Sequence, residues 1–519
     1  MNAINTQLTR GSQLSLRKRA SYAMGSFAVV LNQPQLNKLV QLLLAKLTSA
    51  QEKSDTIIQL QCLSIIAKSV GNKLAPHLEA IVPILNTFAT RLNNEESVDE
   101  DNELAESALT TLEAIIRKCA NDVTSYIPTF ISNAFQLTEY DPNYTYFDDE
   151  DEKMEEDEEG WGDDDEDGGW GAGDDDQDDD ADDDTSWKVR RAAVGIIDVI
   201  VKTRPDVIKQ IIMQHADSMV DRVKERNTEV KVELLKVLQA VIISSMEISQ
   251  SSLELDLMSN TSMKRQLSMG EGLKEKQPVL VKALIKPLKS KKDKVKVAAI
   301  EALSAFALLT QFEFDASFNE VWDHLKETID NRQNYDAAIS ALGLLRRLFR
   351  SKTVDDARTG NFTEKANEIT EFLIKAIEHN YSKVVFEGLR VASSFLSALR
   401  TVQTNTVDAR FAAQVNQLNA IVLDKLGRVN IDTEVKHSCL LTAASIIMTA
   451  HPILGAQNLN NYFTIFADRL SNELTREAAL KGLTMVALNS VSREAEATLI
   501  AIQQPELFLP PFYDLLRNR

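Results

Sequence analysis

One helix type recurs along this chain, and nothing else in the sequence limits the fold as strongly. Each copy has a short polar cap, an apolar residue, one or more basic residues, and then small and apolar residues along one face. The clearest are Val189-Arg190-Arg191-Ala192-Ala193, Val230-Lys231-Val232, Val295-Lys296-Val297-Ala298-Ala299 and Val435-Lys436-His437; weaker ones begin at Leu16, Lys383-Val384 and Leu474-Thr475-Arg476. In the first copy Val189, Ala192, Ala193, Ile196, Ile197, Ile200 and Val201 recur at helical spacing. Their stripe is wide enough that a whole face of the helix must be covered by neighbours.

Between these helices lie apolar partners, Leu78 to Leu92, Val279 to Leu288, Phe318 to Ile329, Ile369 to Ile377 and Tyr462 to Leu470, so the unit is a helix pair. The anchors 189 to 230, 295 to about 335 and 435 to 474 are 41, 40 and 39 residues apart, and 384 to 435 is 51. These intervals bracket the roughly 40 to 47 residues of HEAT and armadillo repeats. Two gaps are longer, 84 residues from about 105 to 189 and 65 from 230 to 295. An acidic run accounts for the first excess and the polar stretch Glu247 to Gln277 for the second. With only 12 Pro and 18 Gly in 519 residues, the expected fold is all-α. It is a HEAT-repeat (armadillo-like) α-solenoid of roughly nine or ten helix pairs, with repeats over 1–147, 185–246 and 278–519. The segments 148–184 and 247–277 are inserted loops. The chain opens on a second helix, Leu16 to Leu31, and closes on a first helix, Leu507 to Leu516. Complete solenoids end in polar capping repeats, so the expectation is a piece of a longer solenoid or one of two polypeptides that together make it.

From Asp148 to Asp184 the chain carries 24 Asp and Glu against one basic residue, Lys153. Such a run cannot bury enough apolar surface to fold alone and is expected to be disordered. Outside it 56 Lys and Arg meet 53 Asp and Glu, so the formal charge of −20 belongs to the run and the rest is near +3. Within it Asp163, Asp165, Asp167, Gly168 and Asp174 fall at the first, third, fifth, sixth and twelfth positions of a calcium loop. The twelfth is not the bidentate Glu, and the flanks lack an apolar helical stripe, so no metal site is expected. Gly169, Gly171 and Gly173 are surrounded by charge that repels phosphate. Asp163 and Asp174 stand instead for an acidic arm that meets a basic partner surface.

Cys62, Cys119 and Cys439 are far apart and form no metal-like pair, which suits reduced core residues of a cytoplasmic and nuclear protein. No secretory leader is evident, and no window of roughly 18 apolar residues is expected to span a membrane. The six histidines are scattered and no nucleophile motif occurs, so neither an enzyme nor a cofactor site is expected. A near-neutral body with an acidic run also argues against nucleic acid. The one basic cluster, six lysines from Lys286 to Lys296, reads as a solvated turn.

Arg190, Arg191, Lys231, Lys296 and Lys436 occupy one repeated position. They are the candidate partner contacts, although a repeated position is also what stacking between neighbouring repeats requires. Trp187 is expected to plug the core where the acidic run rejoins the helices. Ser268, three residues after Arg265, is a candidate phosphorylation site.

Tyr140-Asp141-Pro142-Asn143-Tyr144, the acidic run, and then Ser186-Trp187-Lys188-Val189-Arg190-Arg191-Ala192-Ala193 resemble the cullin-associated neddylation-dissociated protein family. Agreement continues at Arg17-Lys18-Arg19, Arg222-Val223-Lys224-Glu225-Arg226, Val281-Lys282-Ala283-Leu284 and Arg469-Leu470-Ser471-Asn472-Glu473-Leu474-Thr475-Arg476. The resemblance implies a long HEAT solenoid that wraps an unneddylated cullin and its RING subunit and exchanges substrate-receptor modules. It also implies that the repeats competing with the substrate adaptor are absent from this chain, which is then expected to hold the cullin without ejecting an adaptor unaided; a second chain is one source of the missing repeats. The insert Glu247 to Gln277 and the two Gly-Trp-Gly units depart from the family pattern. Importin-beta-like nuclear transport receptors share the acidic loop followed by Trp and basic residues, and form the alternative; Tyr140 to Tyr144 and the collinear segments favour the cullin regulator.

Overall fold

The computed structural model describes residues 14–49, 52–92, 99–142, 185–259, 277–308, 318–330, 335–349, 360–428 and 430–489. The acidic run, Asp163 and Asp174 within it, Ser268 and the expected helix Leu507 to Leu516 lie outside the described residues. Two compact units emerge, one formed by 1–211 with 225–237 and the other by 212–224 with 238–519.

In the first unit the helices are α1 (Leu14–Ala28), α2 (Gln33–Ser49), α3 (Lys53–Val70), α4 (Leu78–Thr90), α5 (Asp99–Lys118), α6 (Ile127–Leu137) and α7 (Ser186–Thr203). Their apolar residues recur every three or four positions, so each helix can close against two neighbours. The second helices stack in order, α1 on α3, α3 on α5 and α5 on α7, while α2, α4 and α6 pack on the second helix that follows each. Met24, Leu36, Leu63, Ile66 and Ile115 are completely buried along this line.

Helices α8 (Ile208–Asp221) and α9 (Thr228–Ser259) give residues to both units. The second unit continues with α10 (Gln277–Ile285), α11 (Asp293–Leu308), α12 (Phe318–Leu325), α13 (Tyr335–Phe349), α14 (Ala366–Glu378), α15 (Ser382–Ala398), α16 (Ala412–Gly427), α17 (Thr433–Ser471) and α18 (Arg476–Asn489). Again the second helices stack: α11, α13, α15, α17 and α18 follow one another. Aromatic rings fill the larger gaps, with Trp322 edge-on to Phe372 at 5.5 Å and Phe349 tilted on Phe395 at 5.2 Å. Gly455, at φ +74°, breaks α17 in two. Only glycine enters that conformation readily, and the break lets the second helix of one repeat run into the first helix of the next without a loop. Counting α17 as two, the described residues hold nine first–second pairs preceded by the lone second helix α1.

The array agrees with the expected HEAT fold, and among the described residues the β-type pairing is a single isolated bridge, Arg400 to Val407. Two local expectations are corrected, and one long interval is accounted for. Residues 247–259 were expected to begin a polar loop, but α9 carries them as helix to Ser259. The 51-residue interval from 384 to 435 holds an ordered excursion between α15 and α16, closed by the Arg400 bridge and by Val407 N–H donating to the Thr449 carbonyl at 2.7 Å. Finally, Thr433–Ser471 does contain an 18-residue window of mean hydropathy 1.6, of which 61% is buried. That window belongs to the stacked core, where a second helix is covered on several sides.

Candidate functional site

In sequence the acidic run lies between α6 and α7, and the described residues on either side of it are tied to a buried polar clamp. Asn102, completely buried in α5, is the hub. Its amide oxygen accepts from the Tyr140 hydroxyl at 3.1 Å, and its Nδ2 donates to Thr185 Oγ1 at 2.9 Å. Thr185 in turn donates to Asp99 Oδ1 at 2.8 Å. One side chain thus holds a residue before the run and a residue after it.

Arg190 completes the clamp. Its Nε and Nη2 donate to the two Glu225 oxygens at 3.1 and 3.2 Å, and Nη1 donates to the Tyr140 carbonyl at 3.0 Å and to Ser186 Oγ at 2.8 Å. Asp141 Oδ2 is 3.9 Å away. Both side chains of the Arg190–Glu225 pair are 5% exposed. A planar guanidinium that meets a carboxylate with two bonds and fills its remaining edge with neutral acceptors is the arrangement in which a buried ion pair offsets its desolvation. Arg190 is therefore removed from the partner contacts expected of it: it serves the fold, because its rotation about α7 turns it inward to Glu225.

Arg191, the next residue, faces outward. Its side chain is 42% exposed, with Glu106 at 3.7 Å. It lies over the Trp187 ring at 5.1 Å, and Lys188 Nζ lies 6.0 Å from the same ring. Trp187 is half-buried. The expected core plug is thus corrected: the indole covers the surface of α7 and carries two cations on its face. Trp187, Lys188 and Arg191 form the mixed aromatic and basic patch beside the point where the acidic run rejoins.

Lys231 is half-buried on α9, Lys296 on α11 and Lys436 on α17, one per repeat. Ion pairs bind neighbouring second helices near their starts, Arg17 of α1 to Asp55 of α3, and Lys53 of α3 to Asp101 of α5 at 2.7 Å. In the second unit hydroxyls serve instead, as Thr442 Oγ1 of α17 donates to the Leu389 carbonyl of α15 at 3.0 Å. Asn102 and Glu225 were not among the sequence candidates. An Asn on a helix face and a Glu in a charged turn carry no sign of burial in their local pattern.

All three cysteines are buried. Burial pushes the Cys62 and Cys439 thiols up to about 12, and burial followed by the nearby Asp122 pushes Cys119 up to about 11. As neutral thiols they are poor nucleophiles. Among the described residues no group of three or more His, Cys, Asp or Glu is placed to hold a metal ion.

Comparison with known proteins bears on the clamp and the array together. The Dictyostelium discoideum cullin-associated NEDD8-dissociated protein 1 is 29% identical over 494 residues, covering 93% of this chain and 37% of that protein. The Drosophila melanogaster protein of the same name is 25% identical over 500 residues, covering 95% and 37%. The chain is thus similar along nearly its whole length to the cullin-associated NEDD8-dissociated proteins. It spans about 37% of the length of these curated relatives. A family model described as Parkin co-regulated protein also matches residues 28–132, within the first-unit helices. Among solved structures, the karyopherin Kap121p bound to the SUMO protease Ulp1p superposes with a TM-score of 0.53 at 11% identity, over 96% of this chain and 49% of that one. That likeness is one of fold, a HEAT-repeat solenoid common to the karyopherin and to this chain.

Proposed function

We propose that this chain is a non-enzymatic HEAT scaffold that binds a cullin together with its RING subunit, in the form without the ubiquitin-like modifier. It thereby regulates the assembly and exchange of substrate-receptor modules of SCF-type ubiquitin ligases, in the cytoplasm and nucleus. The observation that carries this reading is similarity running along 93–95% of the chain to proteins named for cullin association. Helical arrays of this kind offer broad surfaces and not enclosed pockets, which suits a scaffold. Arg191, Lys231, Lys296 and Lys436 remain the basic contacts on offer, with the acidic run as an arm toward basic partner surface. Nucleic acid and membrane have no part in the reading.

The chain spans well under half of its relatives' length, so in this reading the exchange step calls for further HEAT repeats, carried either on a longer polypeptide or on a second chain. The test is affinity purification of the chain from its native source with identification of what comes with it. A cullin and a RING protein are expected; recovery of the small GTPase of nuclear transport in their place would overturn the reading in favour of an importin-beta-like receptor. In a reconstituted assay the chain alone is expected to bind the unmodified cullin complex weakly and to leave the adaptor in place. Release of the adaptor by this chain alone would show that the exchange activity lies in the repeats present here.

A further inference from the structure

Exposed cations of the second unit are commonly matched by a carboxylate, as Lys326 is by Asp323 at 2.7 Å, Lys375 by Asp330 at 2.9 Å and Arg428 by Asp424 at 2.7 Å. The turn between α10 and α11 departs from that pattern. From Gln277 to Lys296 the chain carries seven lysines and one carboxylate, Asp293. Lys282, Lys286, Lys289, Lys291, Lys292 and Lys294 are all exposed. Of these, Lys282, Lys289, Lys291 and Lys294 form no ion pair among the described residues. The preceding repeat adds Lys224, exposed and likewise unpaired, from the turn Arg222–Lys224 that packs on α10. The base of this surface is fixed. Leu280, Leu284 and Ile285 of α10 are buried, as are Pro287 and Leu288 in the helical turn Lys286–Lys289. Ser290 N–H donates to the Pro287 carbonyl at 3.2 Å, and Ser290 Oγ accepts from Lys292 N–H at 3.2 Å. The solvated turn expected from the sequence is thus an anchored one that presents its cations outward.

We propose that this turn is a docking surface for an acidic polypeptide segment, a run of Asp and Glu side chains on another protein. Like charges held together on a fixed base repel one another, and a polyanion that settles on them removes that cost. Three observations favour carboxylates over other polyanions. Gln277 to Lys296 contains no arginine, the side chain whose planar fork recognises phosphate with two bonds, whereas lysine is a compact charge on a flexible stem that meets a carboxylate in many geometries. The stretch has no aromatic residue on which a base could stack. Val279 is the one large apolar side chain exposed there among the described residues, too little apolar surface to enter a bilayer. The net charge of the chain, −20, does not oppose such a partner. At physiological salt charges farther than about 8 Å are largely screened, so the local surplus of lysine governs. In sequence the adjoining stretch 260–276 carries four basic residues against two Glu and so brings no surplus of carboxylate. This goes beyond the cullin reading and does not depend on it, since the partner is defined by its carboxylates alone.

The test is the fluorescence anisotropy of a labelled oligo-glutamate peptide titrated with the full chain. Wild type is expected to bind it at physiological salt and to release it as salt is raised. The variant Lys289→Glu/Lys291→Glu/Lys294→Glu reverses three exposed, unpaired cations, and its dissociation constant for the peptide is expected to rise about tenfold or more. Lys38→Glu/Lys73→Glu/Lys209→Glu makes the same change of charge on exposed, unpaired lysines of the first unit and is expected to bind as wild type does. Because all six side chains lie on the surface, both variants should keep the wild-type melting temperature, which verifies that the fold is retained. Duplex DNA and vesicles of anionic phospholipid serve as rival ligands. Tighter binding of either rival than of oligo-glutamate, lost in the 289/291/294 variant, would overturn the proposal in favour of that rival. Wild type that does not bind the peptide, or a loss of the same size in both variants, would overturn it as well.

Discussion

Arg190 and Arg191 are adjacent, and the helix turns them about 100° apart, which gives them opposite consequences. Removing Arg190 leaves Glu225 buried without its partner and frees two acceptors beside it, so Arg190→Ala is expected to cost about 3–5 kcal/mol. Arg191→Ala removes an exposed cation with a loose carboxylate neighbour and is expected to cost about 0–1 kcal/mol. Thermal melts of the two variants check this, and similar losses from both would show that the buried clamp does not hold the first unit. The thiols give a second test at this scale. With Cys62 and Cys439 raised to about 12 by burial, both should resist maleimide near pH 8 in the native chain and react once it is denatured; rapid native labelling would contradict their burial. The sequence made the repeated basic position legible. It could not assign burial, because Arg190 is turned inward by Tyr140, 50 residues before it, and Glu225, 35 residues after it. Trp187 was misjudged for the same reason: bulk and an apolar neighbourhood suggest a plug, but one step of helix rotation sets the ring on the surface against Lys188 and Arg191.

The helices themselves were largely legible, since each second helix writes its stripe in its own sequence. Val189, Val295, Val384 and Val435 all lie near the starts of second helices, and the partners read at Leu78, Phe318 and Ile369 are first helices. What failed were segments without a stripe. Residues 247–259 are polar enough to read as loop yet extend α9, and the excursion between α15 and α16 is held by backbone bonds that leave no periodic signature. How closely the helices approach is likewise invisible until they are packed. In α18 a Cβ on Gly482 would meet the Phe466 ring at 2.8 Å, with Ala444 at 3.4 Å behind it. Gly482→Ala is therefore expected to destabilise by about 1–3 kcal/mol through overpacking. In α7 a Cβ on Gly195 meets only the flexible Glu113 carboxylate at 3.4 Å, so Gly195→Ala is expected to be neutral or to stabilise by up to about 1 kcal/mol, the helix propensity it gains. A lower melting temperature for Gly482→Ala with none for Gly195→Ala is the expected pattern, and the reverse pattern would mean that the α17–α18 contact is looser than the geometry says.

For the molecule as a whole, the acidic run sets the charge and the array sets the stability, and the two can be separated. The clamp at the base of the run uses Asn102, Tyr140, Thr185, Arg190 and Glu225, all outside 148–184. Deleting 148–184 leaves every one of them and shortens the chain between Pro142 and Thr185. Loop closure then costs less, so stability is expected to stay level or rise by about 1–2 kcal/mol. The charge changes far more, from −20 to about +3, because the deleted segment carries nearly all of the excess. A cationic partner approaching the deleted chain loses the long-range attraction that accelerates encounter. Its association rate at low ionic strength is expected to fall about tenfold or more, with the gap closing as added salt shortens the range over which charges act. Stopped-flow association against a basic partner, run beside a thermal melt, measures both. A large loss of melting temperature on deletion would mean that the run is part of the packed array; an unchanged rate at every salt concentration would mean that its charge plays no part in finding the partner.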